Sequence, residues 1–111
     1  MSVTAENLAS LLITNEEDIL HAARSMKAMA HPLRLKILCI LGANSEVSVQ
    51  EIVEHVGTSQ SNISQHLSIL REKDILAARK DANKVFYRIN DPKIVKLIGS
   101  LREAFCSADP V

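Results

Sequence analysis

A mainly α-helical domain carrying one β-hairpin is the fold class this sequence predicts, and three observations predict it. Apolar residues recur at helical spacing along most of the chain. Helix-start signals at Ser48 and Ser59 flank Gly57, so two short helices meet across a tight turn. Residues 76–89 then change to the two-residue alternation of paired strands. At 111 residues the chain has room for one compact domain. We place that domain at residues 15–106, after an arm or short helix at 1–14 and before a tail at 107–111.

In the arm, Leu8, Leu11 and Leu12 have the spacing of a short leading helix. Thr14 with Glu17 three residues on reads as a capping box. Glu16, Glu17 and Asp18 then occupy a first turn, where the helix dipole favours negative charge. Ile19, Ala22, Met26 and Met29 follow on one face. The next helix opens at Pro32, whose missing N–H costs nothing at a first position. It is predicted to run from Leu33 to Leu41 and to stop at Gly42. Only Arg34 and Lys36 interrupt its apolar residues, which marks it as the central helix. Ser48 and Glu51 form a second capping box ahead of Val49, Ile52, Val53 and Val56, and Gly57 supplies a left-handed cap. Ser59 caps a helix with Ile63, Leu67 and Leu70 on one face. The strands are Leu76–Lys80 and Lys84–Ile89, with Asp81-Ala82-Asn83 as the turn and Asn83 in its positive-φ position. Asp91 caps, and Pro92 opens, a last helix bearing Ile94, Leu97, Ile98, Leu101 and Phe105. The order is that of a winged helix-turn-helix, with the hairpin as the wing.

Composition narrows the function. With 47% apolar residues the chain has the material for a core. A domain this small is marginal alone, and pairing with a second copy buries more surface. The longest apolar run, Ile37–Leu41, is far too short to cross a bilayer, so no membrane partner is expected. No Lys or Arg precedes Arg24, so no signal peptide is visible and a cytoplasmic protein is expected. In that compartment two cysteines do not form a permanent structural disulfide. Net charge is zero, but its distribution is uneven. Residues 1–23 hold four acids and no base, whereas residues 59–88 hold six bases against three acids. One stretch therefore repels phosphate and another attracts it.

The informative segment is Ser59-Gln60-Ser61-Asn62-Ile63-Ser64-Gln65-His66. Apart from Ile63, every side chain is an uncharged or weakly charged hydrogen bonder. A solvated helix face ordinarily carries Glu and Lys, which are better helix formers than Ser and Asn. Short amides and hydroxyls suit base edges, since Asn or Gln bonds adenine bidentately and Ser serves either base type. No carboxylate occurs between Thr58 and Arg71 to repel a phosphate. The basic hairpin adds Arg79, Lys80, Lys84 and Arg88, which suit contact with the DNA backbone or minor groove. His66 either faces the same partner or sits hydrogen-bonded and half-buried, and the residues alone leave both open. The expected partner is a double-stranded operator, read as an inverted repeat by a dimer.

Three stretches carry a resemblance to a known family: Met29-Ala30-His31-Pro32-Leu33-Arg34-Leu35-Lys36-Ile37-Leu38, then Ser59 to Leu67, then Val85-Phe86-Tyr87-Arg88. Together they resemble the ArsR family of bacterial repressors over roughly residues 15–105. The resemblance implies a winged-helix homodimer built through the first and last helices. It also implies operator binding that an inducer releases. The wing tip departs from the pattern, since Ala82-Asn83 stands where the family often has glycine.

Many members of that family bind metal ions, which directs attention to the ligand positions. The arsenic-type Cys-x-Cys would fall at Ser48-Val49-Gln50, where no thiol is present. The zinc-type Asp-x-His would fall at Asp91-Pro92-Lys93, and no histidine follows His66. His21, His31, His55 and His66 show no paired ligand spacing. Neither metal site is predicted, and no cofactor is. The two cysteines, Cys39 and Cys106, lie far apart in sequence, so no CxxC chemistry applies. Lys36 and Arg102 precede them at helical spacing, and a nearby cation favours the reactive thiolate. The residues alone also allow two small buried side chains. One cysteine in the central helix and one at the end of the last resembles the persulfide- and oxidant-responsive subgroup of the family. That resemblance implies that a small sulfur or oxidant inducer links Cys39 to Cys106 and releases DNA. Two alternatives remain: soft-metal or arsenite sensing by the same thiols, and a winged-helix protein-interaction module. A thiol-exchange enzyme is not supported, because no nucleophile–base spacing or cofactor motif is present.

Overall fold

The structure is a computed structural model and describes residues 15–105. The predicted arm, with Leu8, Leu11, Leu12 and Thr14, and the chain from Cys106 onward lie outside the described residues. The elements run α1 (Glu16–Met29), α2 (Pro32–Ala43), β1 (Val47–Ser48), α3 (Val49–Val56), α4 (Gln60–Glu72), β2 (Leu76–Asp81), β3 (Lys84–Ile89) and α5 (Pro92–Phe105).

Helix α1 is capped by Asn15, whose side-chain oxygen accepts the Glu17 N–H at 2.8 Å. The cap is thus one residue later than the predicted Thr14, in keeping with the higher rank of Asn as an N-cap. The three acids fill the first turn as expected. Ala28 and Met29 are buried, whereas Ile19, Leu20 and Met26 stand exposed.

Helix α2 is the hub. His31 caps it by accepting the Leu33 N–H through Nδ1 at 3.1 Å, and Pro32 takes the first position. Ile37 and Leu38 are fully buried, and α2 packs against α3, α4, α5 and β3. It does not stop at Gly42 but continues to Ala43, with Asn44 as its cap. The glycine serves packing instead: a Cβ there would lie 3.3 Å from Cγ2 of Ile98 on α5. Its sequence looked like a stop signal because the close approach of α5 is a tertiary fact.

The helix-turn-helix follows the sequence closely. Ser48 and Glu51 form a complete capping box, and Gly57 closes α3 at φ 78°. Nothing lies within 4 Å of a Cβ built on Gly57, so the backbone alone demands glycine there. Ser59 caps α4 by accepting the Asn62 N–H at 3.2 Å. Ile63, Leu67 and Leu70 of α4 are all fully buried. Each such burial stabilises by about 1.5–3 kcal/mol. That outweighs the poor helix propensity of Ser61, Asn62 and Ser64, about 0.5 kcal/mol apiece. Tertiary packing, not local preference, therefore holds α4. Its end is tied by Asp74 at φ 59°, after which the Ile75 N–H returns to the Leu70 carbonyl at 3.0 Å. This is the Schellman pattern with aspartate in the left-handed place.

The sheet has the order β1-β3-β2, all antiparallel. The short β1, too brief to show an alternation, pairs Val47 with Tyr87 and Ser48 with Phe86. The hairpin register runs from Leu76↔Ile89 to Asp81↔Lys84, so Asp81 belongs to β2 and not to the predicted three-residue turn; pairing with Lys84 draws it into the ladder and leaves Ala82 and Asn83 as the loop. Ala82, not Asn83, takes the positive φ, at 54°. A positive φ at the first loop residue is the sign pattern of a type II′ turn, which matches the twist of paired strands. Asp91 caps α5 by accepting the Lys93 N–H at 2.9 Å. Ile98 is buried, whereas Val95, Leu97 and Phe105 are exposed. Among the described residues no helix is long and apolar enough to cross a membrane.

Ala82 carries a Cβ in a conformation that costs L-residues roughly 1–2 kcal/mol. Glycine removes that strain but loses about 0.4–1 kcal/mol to unfolded-chain entropy. Ala82→Gly should therefore raise stability by up to about 1.6 kcal/mol, read as a higher urea midpoint at unchanged slope.

Candidate nucleic-acid interface

Because Ile63, Leu67 and Leu70 turn one side of α4 inward, its other side is fixed outward. Ser59, Gln60, Ser61 and Gln65 are exposed there, and Ser64 is half-buried. Asn62 is partly committed to the turn, since its Nδ2 donates to Thr58 Oγ1 at 3.2 Å. The first turn of α4 carries no acid. Its polar face is thus uncharged and accessible, with amides and hydroxyls of the kind that read base edges.

The hairpin tip comes to the same place. Gln60 shares a cleft of about 110 Å³ with Asn83, Lys84 and Val85 of the wing and with Ser48, Val49 and Gln50 at the start of α3. Of the sequence-predicted residues, Gln60 and Lys84 are therefore brought together. Gln50 joins them unannounced, because nothing in the sequence places the start of α3 beside the wing tip.

The other predicted cations differ. Lys80 is exposed on β2, opposite Val85. Arg88 lies towards the base of the hairpin, opposite Ala77 and not at the tip. Arg79 is engaged by the protein itself. Its Nε and Nη2 donate to the two carboxylate oxygens of Glu46, each at 2.7 Å. Its guanidinium also lies over the Phe86 ring, 4.7 Å from the centroid. Arg79 hydrogen bonding, helped by the charges of Arg79 and Arg88, holds the Glu46 carboxyl below its ordinary range. Arg79 is thus a paired cation and not a free one.

His66 resolves towards the half-buried alternative. Arg34 of α2 donates from Nε to His66 Nδ1 at 3.1 Å and from Nη1 to the Ala28 carbonyl at 3.0 Å. The His31 ring lies beside it, with centroids 4.6 Å apart. Arg34 thus ties α1, α2 and α4 together. The sequence marks Arg34 only as one of two cations in a mainly apolar helix, and its partners on α1 and α4 are tertiary.

Cys39 is half-buried on α2. It lines an apolar cleft of about 480 Å³ with Leu35, Leu101, Arg102 and Phe105. A neighbouring cleft of about 380 Å³ includes Cys39, Glu46, Glu51, His55 and Arg102. Cys106 lies outside the described residues. Among the described residues no group of three or more His, Cys, Asp or Glu side chains is placed to hold a metal ion.

The Arg34 hydrogen bond needs a lone pair on His66 Nδ1, because arginine is always a donor. Partial burial, and then the charges of His31 and Arg34, hold the His66 pKa below its ordinary 6.5. The unfolded chain therefore takes up this proton first as pH falls. The contribution is fully present above the unfolded value and is lost progressively in acid below it. His66→Gln, which keeps an acceptor but does not titrate, should lose less stability than wild type between pH 7.5 and pH 5, measured by urea unfolding.

Comparison with known proteins agrees with this geometry. Residues 31–77 match the family described as bacterial regulatory protein, arsR family. The biofilm growth-associated repressor of Xylella fastidiosa is 34% identical over 87 residues, covering 78% of this chain and 75% of that protein. The structure of HlyU from Vibrio cholerae superposes with a TM-score of 0.79 at 38% identity, covering 84% of this chain and all of that one. That of reduced HlyU from the same organism gives 0.77, also at 38%, covering 83% and 96%. These relatives are named as regulators of transcription and not as enzymes. With the winged helix-turn-helix already in place, this chain belongs to the ArsR family of DNA-binding transcriptional regulators.

Proposed function

We propose that the chain is a homodimeric repressor that reads an inverted-repeat operator and releases it when Cys39 and Cys106 are linked. The observation that carries the DNA reading is the uncharged, exposed start of α4 sharing one cleft with the wing tip. In this reading Gln60, Ser61, Ser64 and Gln65 meet base edges, with Ser59 and Asn62 shaping the entry to the helix. Lys80 and Lys84, with Arg88 behind them, meet the phosphate backbone. Exposed apolar side chains on α1 and α5, notably Ile19, Leu20, Met26, Leu97 and Phe105, support pairing with a second copy. Two α4 helices then enter successive major grooves about 34–36 Å apart.

The thiol switch is supported by chain continuity. Phe105 lines the apolar cleft with Cys39, and Cys106 is its next residue in sequence. A direct disulfide needs Cα atoms about 4.4–6.8 Å apart, and a larger gap favours a bridge with extra sulfur. The two thiols give up two protons and two electrons to the oxidant as the bond forms. Linking α2, which supports the reading helix, to the end of α5 alters the spacing of the two reading heads. Packed helices shift between discrete arrangements, so a small pull has a two-state effect.

Base and backbone contacts separate in a DNA titration. Gln60→Ala should relax base preference by about 1–3 kcal/mol at its position. Lys84→Ala should weaken all sequences alike and flatten the salt dependence by about one phosphate contact. A sequence-specific loss with Lys84→Ala and a uniform one with Gln60→Ala would reverse the assignment. For the switch, wild type, Cys39→Ser and Cys106→Ser are titrated with operator DNA, each reduced and then treated with an organic persulfide or mild oxidant. Only the wild type should lose affinity, with a mass change within one chain. An unchanged wild type, or equal loss in both single variants, sinks the thiol reading. Release by arsenite or a soft metal alone would favour the metal-sensing alternative.

A further inference from the structure

The three-stranded sheet has a weak place. The wing hairpin, β2 with β3, is joined to the body on its β1 side by only two residue pairs, Val47↔Tyr87 and Ser48↔Phe86. Both lie on β3, the middle strand. The base of β2 is held by its ladder with β3 and by the buried Leu76, and its outer part is tied to the β1 side by Arg79. From β2 its side chain passes over Phe86 of β3, its cross-strand partner, to the carboxylate of Glu46, just before β1. One side chain therefore spans the full width of the sheet. The two parallel hydrogen bonds fix direction as well as distance, which a single point-charge contact does not.

We infer that Glu46 is a positioning residue for DNA binding: through its forked pair with Arg79 it sets the angle of the wing against α4. Glu46 is a carboxylate among the wing's cations, so by charge alone its removal would strengthen DNA binding. As the anchor of the brace, its removal instead frees the outer half of the hairpin, beyond the buried Leu76, Tyr87 and Ile89, to bend relative to α4. Lys80 and Lys84 then reach the backbone from many orientations, and binding must order them. The same anchor lines the cleft that contains Cys39 and Arg102, so a rearrangement at that cleft has a direct mechanical route to the wing. The inference rests on the reading of the wing as a DNA contact.

The test titrates operator DNA at several salt concentrations with the full chain and its Glu46→Ala, Arg79→Lys, Glu46→Ala/Arg79→Lys and Lys84→Ala variants. Glu46→Ala and Arg79→Lys should each lower affinity by about threefold to tenfold, with the salt slope kept. Lysine keeps the charge but loses the fork. The double variant should be no worse than either single one, because both remove one brace. Hydroxyl-radical protection under the wing should weaken while protection under α4 remains. Thermal midpoints close to wild type confirm that the fold is intact, and Glu46→Gln, which keeps an acceptor, should fall between wild type and Glu46→Ala. Tighter binding by Glu46→Ala, or wild-type binding by Arg79→Lys, overturns the inference. A silent Lys84→Ala removes the wing's role in DNA binding itself, whereas an impaired Lys84→Ala beside unimpaired brace variants removes only the brace.

Discussion

Ile63, Leu67 and Leu70 pack from α4 into a core whose centre is Ile37, Leu38 and Leu41 of α2, and the orientation of every polar group on α4 depends on that contact. The residues recur at three and four positions, so they form one stripe along the helix. With the stripe buried, the opposite face has only one direction to present. Local preference works against α4, because Ser and Asn are poor helix formers. The hydrophobic contact is therefore what permits a helix to carry a face chosen for recognition and not for stability. Arg34 adds a polar tie to the same joint, through His66 and the Ala28 carbonyl.

Polar side chains around this joint divide into those that build and those that remain available. Ser59 caps, Asn62 holds the turn, His66 accepts from Arg34, and Arg79 is spanned by Glu46. Gln60, Gln65, Lys80 and Lys84 remain exposed on α4 and the wing. The division matters because a contact already made inside the protein must be broken before it serves DNA. A short, forked pair such as Glu46–Arg79 is a poor candidate for such exchange.

What the sequence made legible were features with local causes. The capping box at Ser48 and Glu51, the left-handed Gly57, the Ser59 cap and the presence of a hairpin all follow from residues within a few positions of one another. Alternation over residues 84–89 showed a strand, and the structure shows that Tyr87 and Ile89 take its buried face. The misreadings have distant causes. Gly42 resembled a helix stop, but Ile98, on another helix, explains it. Glu46 and Arg79 are 33 residues apart, and Arg34 and His66 are 32 apart, so no local pattern could join them. Asparagine tolerates positive φ better than alanine, which points to Asn83, yet the hairpin twist selects the first loop position, Ala82. The short β1 had no period to read. The exposed sides of α1 and α5 were legible as apolar stripes, but their division into buried and exposed halves was not.

In the proposed complex the start of α4 and the wing tip form one DNA-reading surface while α1 and α5 serve another purpose. Backbone amide chemical shifts followed during titration with operator DNA test it most directly, since they report contact residue by residue in the intact protein. The largest changes are expected at residues 59–65 and 80–84, smaller ones at Gln50, and little along the exposed sides of α1 and α5. Changes centred on α1 and α5, with residues 59–65 undisturbed, would contradict it.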